Sequence, residues 1–346
     1  VFLQVLQGGE QLAVDKVFQL VAGYTFRVGG PVSPAQLFRN RGFIVVVNQF
    51  PFLFPVVENF QEQHPDQLAD ALGFSALWLR DVPFNVPSFG DAGQVFDPFV
   101  YLGALATATR DIALGVASIV LPLRHPAHVA KAAASADVLS GGRLLLGVAS
   151  GDRPEEYPAL NKSFPDRGMR FRDSVDYIRA MAESYPHRDT DHGTLSGGID
   201  MLPKPAGGQL PLLITGGSQQ SPDWVARNGD GWMTYPRDPV AQGRVVAEYR
   251  QRIAAAGLPD RPVMQSLYVD LVADAEAPPS PIPVGFRSGT GYLRQYLSEV
   301  QSLGINHVAL NLRFNGADVE DTMQTLAQEV LPAFADAEPG SPGTPS

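Results

Sequence analysis

Apolar runs with strand character alternate with stretches of helical spacing along most of this 346-residue chain. Eight runs stand out: 43–48 (FIVVVN), 76–80 (ALWLR), 112–120 (IALGVASIV), 143–149 (RLLLGVA), 211–215 (PLLIT), 230–235 (DGWMTY), 264–272 (MQSLYVDLV) and 306–312 (NHVALNL). Because they are continuously apolar rather than alternating, they predict strands buried on both faces, as in a parallel sheet covered by helices. Helical spacing is predicted over 98–109, 127–139, 167–184, 222–228, 239–256, 291–303 and 319–335. Eight strand and helix units in one chain predict an α/β fold, a (β/α)8 TIM barrel with irregular insertions. A doubly wound sheet is the alternative, but no G-x-G-x-x-G follows the first strand.

Two segments break the rhythm. Residues 185–210 and 273–290 are rich in glycine and proline, and long loops of this kind on a barrel are expected to be lids or binding loops, with 278–290 the lid candidate. The expected organisation is an N-terminal segment over 1–40 of undefined structure, a barrel over 41–335 and a disordered tail over 336–346.

Composition narrows the chemistry. The chain has 34 glycines and 30 prolines, so turns are many, and it has no cysteine. Disulfides, thiolate nucleophiles and Cys-ligated metals are excluded together, so redox chemistry has to come from a bound cofactor. A net charge of −10 argues against a nucleic-acid partner. Only four lysines occur, none at an evident strand end, which disfavours Schiff-base catalysis. No apolar run is long enough to span a bilayer and no secretory signal is visible, so a cytoplasmic location and no membrane partner are expected. The six histidines are scattered and no H-x-H closes the first strand, so no metal site is expected.

In a barrel the chemistry sits where the strands end. The second strand ends in Arg80-Asp81, suited equally to a rim ion pair or to catalysis. The third carries small residues through Ala117-Ser118 and runs on to Arg124 and His125, a cation and a titratable group beside the rim. The fourth ends in Ser150-Gly151. Its surroundings differ from the G-x-S-x-G nucleophile elbow by one place, so these residues are read as ligand donors or an ordinary turn rather than a hydrolase serine. The fifth passes through Gly216-Gly217-Ser218 to Ser221-Pro222, a glycine-rich entry to a helix that suits a phosphate or bears no ligand at all.

Taken jointly, G-F-x-A-L-W-L-R-D at 73–81, D-P-F-V-Y-L-G-A-L-A from 97, I-A-L-G-V-A-S-I-V-L-P-L-R-H-P from 112, L-S-G-G-R-L-L-L-G-V-A-S-G from 139, and G-G-S-Q-Q-S followed by N-G-D-G-W resemble the bacterial luciferase-like flavin monooxygenase family over most of 42–335. The resemblance implies a barrel, reduced FMN or a deazaflavin as cofactor, a small organic substrate with O2, a flavin reductase as possible partner, and a homodimer. It places a non-prolyl cis peptide at Ala117-Ser118 beneath the flavin ring, Ser150 and Gly151 near the flavin or its phosphate, and Gly216, Gly217, Ser218 and Ser221 in the phosphate loop. Luciferases follow the acid at the Asp81 position with two histidines, where this chain has Val82-Pro83, which argues against light emission and leaves no inherited acid or base. Asp81, Arg124 and His125 are the catalytic candidates, and Arg80, Arg124, His125 and Arg287 the candidates for gripping a substrate, the arginines being suited to an anion. A non-catalytic flavin-binding barrel and a metal-dependent hydrolase are the competing expectations.

Overall fold

A computed structural model describes residues 44–47, 65–84, 86 and 96–334. The expectations for 1–40 and for the tail at 336–346 lie outside the described residues.

Each predicted strand forms: β1 (Ile44–Val47), β2 (Ala76–Leu79), β3 (Ala113–Val120), β4 (Leu144–Ala149), β7 (Leu212–Thr215), β8 (Gly231–Thr234), β9 (Val263–Leu271) and β12 (His307–Asn311). All pair in parallel, in the order β1-β2-β3-β4-β7-β8-β9-β12, and β12 returns to β1. That return closes the sheet into the predicted (β/α)8 barrel, which removes exposed edges. Helices α1 (Pro65–Ala71), α2 (Pro98–Ala108), α3 (Pro126–Leu139), the short α4 (Glu156–Ala159), α5 (Arg167–Ala180), α6 (Pro222–Asn228), α7 (Pro239–Ala255) and α8 (Thr290–Ser302) lie between the strands in sequence, and α9 (Val319–Thr325) follows β12. Part of the proline excess has a local cause. Pro98, Pro126, Pro222 and Pro239 each open a helix, behind the side-chain caps Asp97, His125, Ser221 and Asp238. Proline lacks the N–H that a first turn leaves unbonded, and its fixed φ suits helix entry.

Strand parity divides the core in two. Ala76, Trp78, Ala113, Leu145, Leu213, Met233, Met264 and Ala309 fill the barrel interior, while the alternate residues pack outward under the helices. Trp78 is fully buried in the interior, and the neighbouring Gly115 makes room for it, because a Cβ there would lie 2.6 Å from Trp78 Cζ3. The indole N–H donates to His307 Nε2 at 3.0 Å, satisfying the polar atom of this large plug.

The two irregular segments prove ordered. Within 185–210, β5 (His187–Thr190) and β6 (Gly193–Ser196) form an antiparallel hairpin. His192 at its turn meets His125 and Tyr177, so the hairpin turn lies against α3 and α5. Within 273–290, β10 (Ser280–Ile282) and β11 (Gly285–Ser288) form a second hairpin, and β11 extends the sheet by pairing in parallel with Tyr268–Leu271 of β9.

Candidate active site at the barrel mouth

The interior positions continue past the lumen plug to the C-terminal strand ends. On β3 the register with β4 shifts between Val116 and Ile119, and within that irregularity the Ala117–Ser118 peptide is cis, as the resemblance implies. Ser118 Oγ and Thr215 Oγ1 make a short hydrogen bond, and both contact Met233 Sδ, at 3.9 and 3.4 Å. Gly147 leaves space for them, since a Cβ there would overlap the Val116 carbonyl oxygen and lie 2.7 Å from Met233 Sδ. Ala117, Ser118, Ala149 and Thr215 are half-buried, so they form a floor of small side chains and hydroxyls on top of the plug.

Beside this floor, the β4 end turns at Gly151 (φ 78°). Its glycine is required twice over, because a Cβ would also lie 2.8 Å from the Tyr157 hydroxyl. That hydroxyl donates to the Ser150 carbonyl. Burial first, with Glu156 and Asp152 adding and Arg167 opposing, pushes the Tyr157 phenol up to about 12, so it stays a donor at neutral pH.

The loop after β7 has Gly216, Ser218 and Gln219 at positive φ. Ser218 Oγ donates to the Thr215 carbonyl at 2.8 Å, and Ser221 Oγ accepts from the Trp224 N–H at 3.2 Å, so both hydroxyls shape the loop and cap α6. Among the described residues, the backbone N–H groups of Gly217, Ser218, Gln219 and Ser221 have no acceptor. The first turns of α5 pack against this loop through Gly168, where a Cβ would lie 2.8 Å from Gln219 Cβ. Arg172 holds Gln220 Oε1 at 2.8 and 3.1 Å, and Gln220 Nε2 donates to the Gly168 carbonyl at 2.7 Å. Arg167 and Arg170 each bury an Nε without a hydrogen-bond partner. Cations crowded at a helix N-terminus oppose the helix dipole. With unbonded N–H groups alongside, this donor set fits an anionic group such as the phosphate of a flavin or deazaflavin.

Each catalytic candidate is engaged by neighbouring groups. Asp81 is buried, and its carboxylate accepts from the Val120 N–H (3.0 Å), Arg124 Nε (3.1 Å) and Arg124 Nη2 (2.7 Å); Arg124 Nη2 also reaches Asp97 Oδ2 at 2.9 Å. The pair is therefore a clamp joining the β2 and β3 ends to the cap of α2. Buried beside Asp81, Arg153 and Glu156 pair at 3.4 Å. His125 caps α3 through Nδ1, which accepts from the Ala127 N–H at 3.2 Å, while its Nε2 meets the His192 carbonyl at 3.2 Å. Its ring contacts are with His128, Tyr177 and His192, on the helix layer and the hairpin turn. Arg287 pairs with Asp270 at 3.6 Å across β11 and β9. By strand parity Arg80 follows Ala76 and Trp78 on the inward side of β2.

Three mouth residues lay outside the sequence expectation. Tyr235 follows Met233 on the inward side of β8, Tyr268 follows Met264 on that of β9, and Asp152 follows the β4 turn. Burial chiefly pushes the Tyr235 phenol up, Asp152 and Tyr268 adding and Arg80 opposing, although 55% of the residue's surface is open. Among the described residues no group of three or more His, Cys, Asp or Glu side chains is arranged to hold a metal ion.

The profile of the luciferase-like monooxygenase family matches residues 66–327. The chain belongs to this family. Among luciferase-like relatives, an uncharacterized Mycobacterium tuberculosis protein is 32% identical over 227 residues, 60% of this chain and 79% of that one. The F420-dependent hydroxymycolic acid dehydrogenase of M. tuberculosis is 27% identical over 55% of this chain and 53% of its own length. Solved structures share the barrel: monooxygenase RslO1 from Streptomyces bottropensis (TM-score 0.70, 19% identity, covering 84% of this chain and 99% of that one) and the oxygenating constituent of 3,6-diketocamphane monooxygenase from Pseudomonas putida in complex with FMN (0.65, 14%, 84% and 98%). Flavin and F420 enzymes thus both occur among this luciferase-like chain's relatives. No helix among the described residues is long and apolar enough to cross a membrane.

Proposed function

We propose that the protein is a flavin-dependent monooxygenase that uses reduced FMN and O2 on a small organic substrate without emitting light. Reduced FMN, when bound, supplies the activation of O2. The observation that carries the reading is the joint presence of the anion-suited cradle at 217–221 with the first turns of α5 and, beside it, the floor of Ala117, Ser118, Ala149 and Thr215, with Gly147 making room beneath it. One suits the phosphate end of a flavin, the other a flat ring that needs close approach. The residues at the mouth then bind and orient the substrate and exclude water, with Tyr157 holding the Ser150-Gly151 turn in place. A flavin reductase would supply the reduced cofactor, and a homodimer in the cytoplasm is the accompanying expectation.

A deazaflavin reading is favoured by the F420-dependent relative, with hydride transfer in place of O2 chemistry. Titration of the purified protein with FMN, reduced FMN and F420 by fluorescence, followed by oxygen-uptake measurements with each bound cofactor, separates the two. Tighter F420 binding without oxygen uptake would replace the monooxygenase reading, and no binding of either at tens of micromolar would remove both.

A further inference from the structure

The floor carries a hydrogen-bond chain with one more proton than it has strong acceptors. Ser118 Oγ and Thr215 Oγ1 are bonded to each other, and Met233 Sδ lies 3.4 Å from Thr215 Oγ1 and 3.9 Å from Ser118 Oγ. Neither hydroxyl has another partner among the described residues. Two hydroxyls bring two protons. One lies between the two oxygens, whichever of them donates, and the other is left with the thioether, a weak acceptor. Both orders of donation fit the distances. With Ser118 donating to Thr215 and Thr215 to the sulfur, Ser118 keeps free lone pairs. With Thr215 donating to Ser118, the Ser118 O–H is free to turn away from the sulfur. The reversal gives up only a bond to sulfur, so it costs little. Met233 is 5% exposed while Ser118 and Thr215 are half-buried, so the open side of the pair is the side away from the sulfur.

We propose that this pair is a reversible dipole that sets which oxidation state of the flavin the protein prefers, with Ser118 touching the cofactor and Thr215, acting through Ser118, as a positioning residue. The proposal rests on the flavin reading for what lies on the floor. The lone-pair order suits an oxidised ring, which is electron-poor. The O–H order suits a reduced ring, which is electron-rich and largely anionic near neutral pH, because an O–H is attracted to an electron-rich ring face. Hydrogen bonds to ionised acceptors are about twice as strong as neutral ones, and the bond donated by Thr215 polarises the Ser118 O–H further. The pair therefore favours the reduced cofactor, while Met233 holds the spare proton when the oxidised one is bound.

The test measures the Kd of oxidised and of reduced FMN anaerobically by protein fluorescence, and checks their ratio by potentiometric titration of the bound flavin. Wild-type protein should hold reduced FMN about tenfold or more tightly than oxidised FMN, a shift of about 30 mV for a two-electron couple. Ser118→Ala and Thr215→Val should each cut that preference about threefold or more, mainly by weakening reduced FMN. The double variant should lose little beyond the larger single loss, since both residues act through one bond. Thr215→Ser should keep the preference, and Met233→Leu, which removes the competing acceptor, should raise it. Equal affinity of the wild type for the two forms, a wild-type preference in both hydroxyl variants, or a lowered preference in Met233→Leu would each overturn the proposal. Failure of the wild type to bind either form counts against the cofactor reading itself, whereas tight binding without these changes counts against the pair alone.

Discussion

Replacing Asp81 by Asn distinguishes a structural clamp from a catalytic acid. The Asp81 side chain is 1% exposed and accepts three N–H groups, one from the backbone of Val120 and two from Arg124. An amide keeps one acceptor oxygen but turns an NH2 toward donors, so at least one contact is lost and one becomes donor against donor. Removing one partner of a buried pair costs about 3–5 kcal/mol, and because the Arg124 side chain is 25% exposed water recovers part of this, leaving about 2–4 kcal/mol. For a domain of this size each kcal/mol moves the melting temperature by roughly 2–4 °C, so a fall of about 5–15 °C is expected by calorimetry. Arg124→Met should cost a comparable amount, and the double variant should lose less than the two singles together, with a coupling of about 1–3 kcal/mol. If Asp81→Asn instead kept the wild-type melting temperature while abolishing turnover of the reconstituted enzyme, the clamp reasoning would be refuted.

Gly147→Ala should cost about 1–3 kcal/mol by overpacking against the Val116 carbonyl and Met233, and should weaken cofactor binding, both checked by thermal melts and FMN titration. Arg143 is buried and donates to Ser140, Thr109, Ile112 and Ala106, so Arg143→Met, which strands those acceptors, should destabilise by about 3 kcal/mol or more in urea without changing cofactor affinity. Burial, and next the neighbouring His125, hold the His192 imidazole below its ordinary value. The unfolded chain then binds a proton before the folded one on acidification, so stability is lost as pH falls through the ordinary histidine value toward the folded one, and His192→Gln should shrink the drop in melting temperature between about pH 7.5 and pH 5.

The eight barrel strands were legible because burial on both faces writes a continuous apolar run, and because helices with proline at their first position separate the runs. The two hairpins were not. His187-Arg188-Asp189-Thr190 is polar and mostly exposed, and Ser280-Pro281-Ile282 carries a proline on an outer strand, so neither has the apolar signature of a core strand. The phosphate loop was visible as a glycine-rich turn into a helix, but its α5 wall comes from about fifty residues earlier in the chain. Arg124 illustrates the limit most directly. A cation after a barrel strand suits an anionic substrate, yet Asp81, 43 residues away, takes two of its donors.

By itself the sequence determined the closed barrel, the strand ends at which the mouth would form, and the small residues of its floor. These follow from local burial and from backbone demands that only particular residues meet. The tertiary structure decided which polar groups are already satisfied and which face the opening. It drew Asp81, Arg124 and His125 into clamps and caps and left Tyr235, Tyr268 and Asp152 at the mouth. Whether a charged or hydroxyl group is available depends on partners brought from distant parts of the chain, and no local pattern in the sequence encodes that pairing.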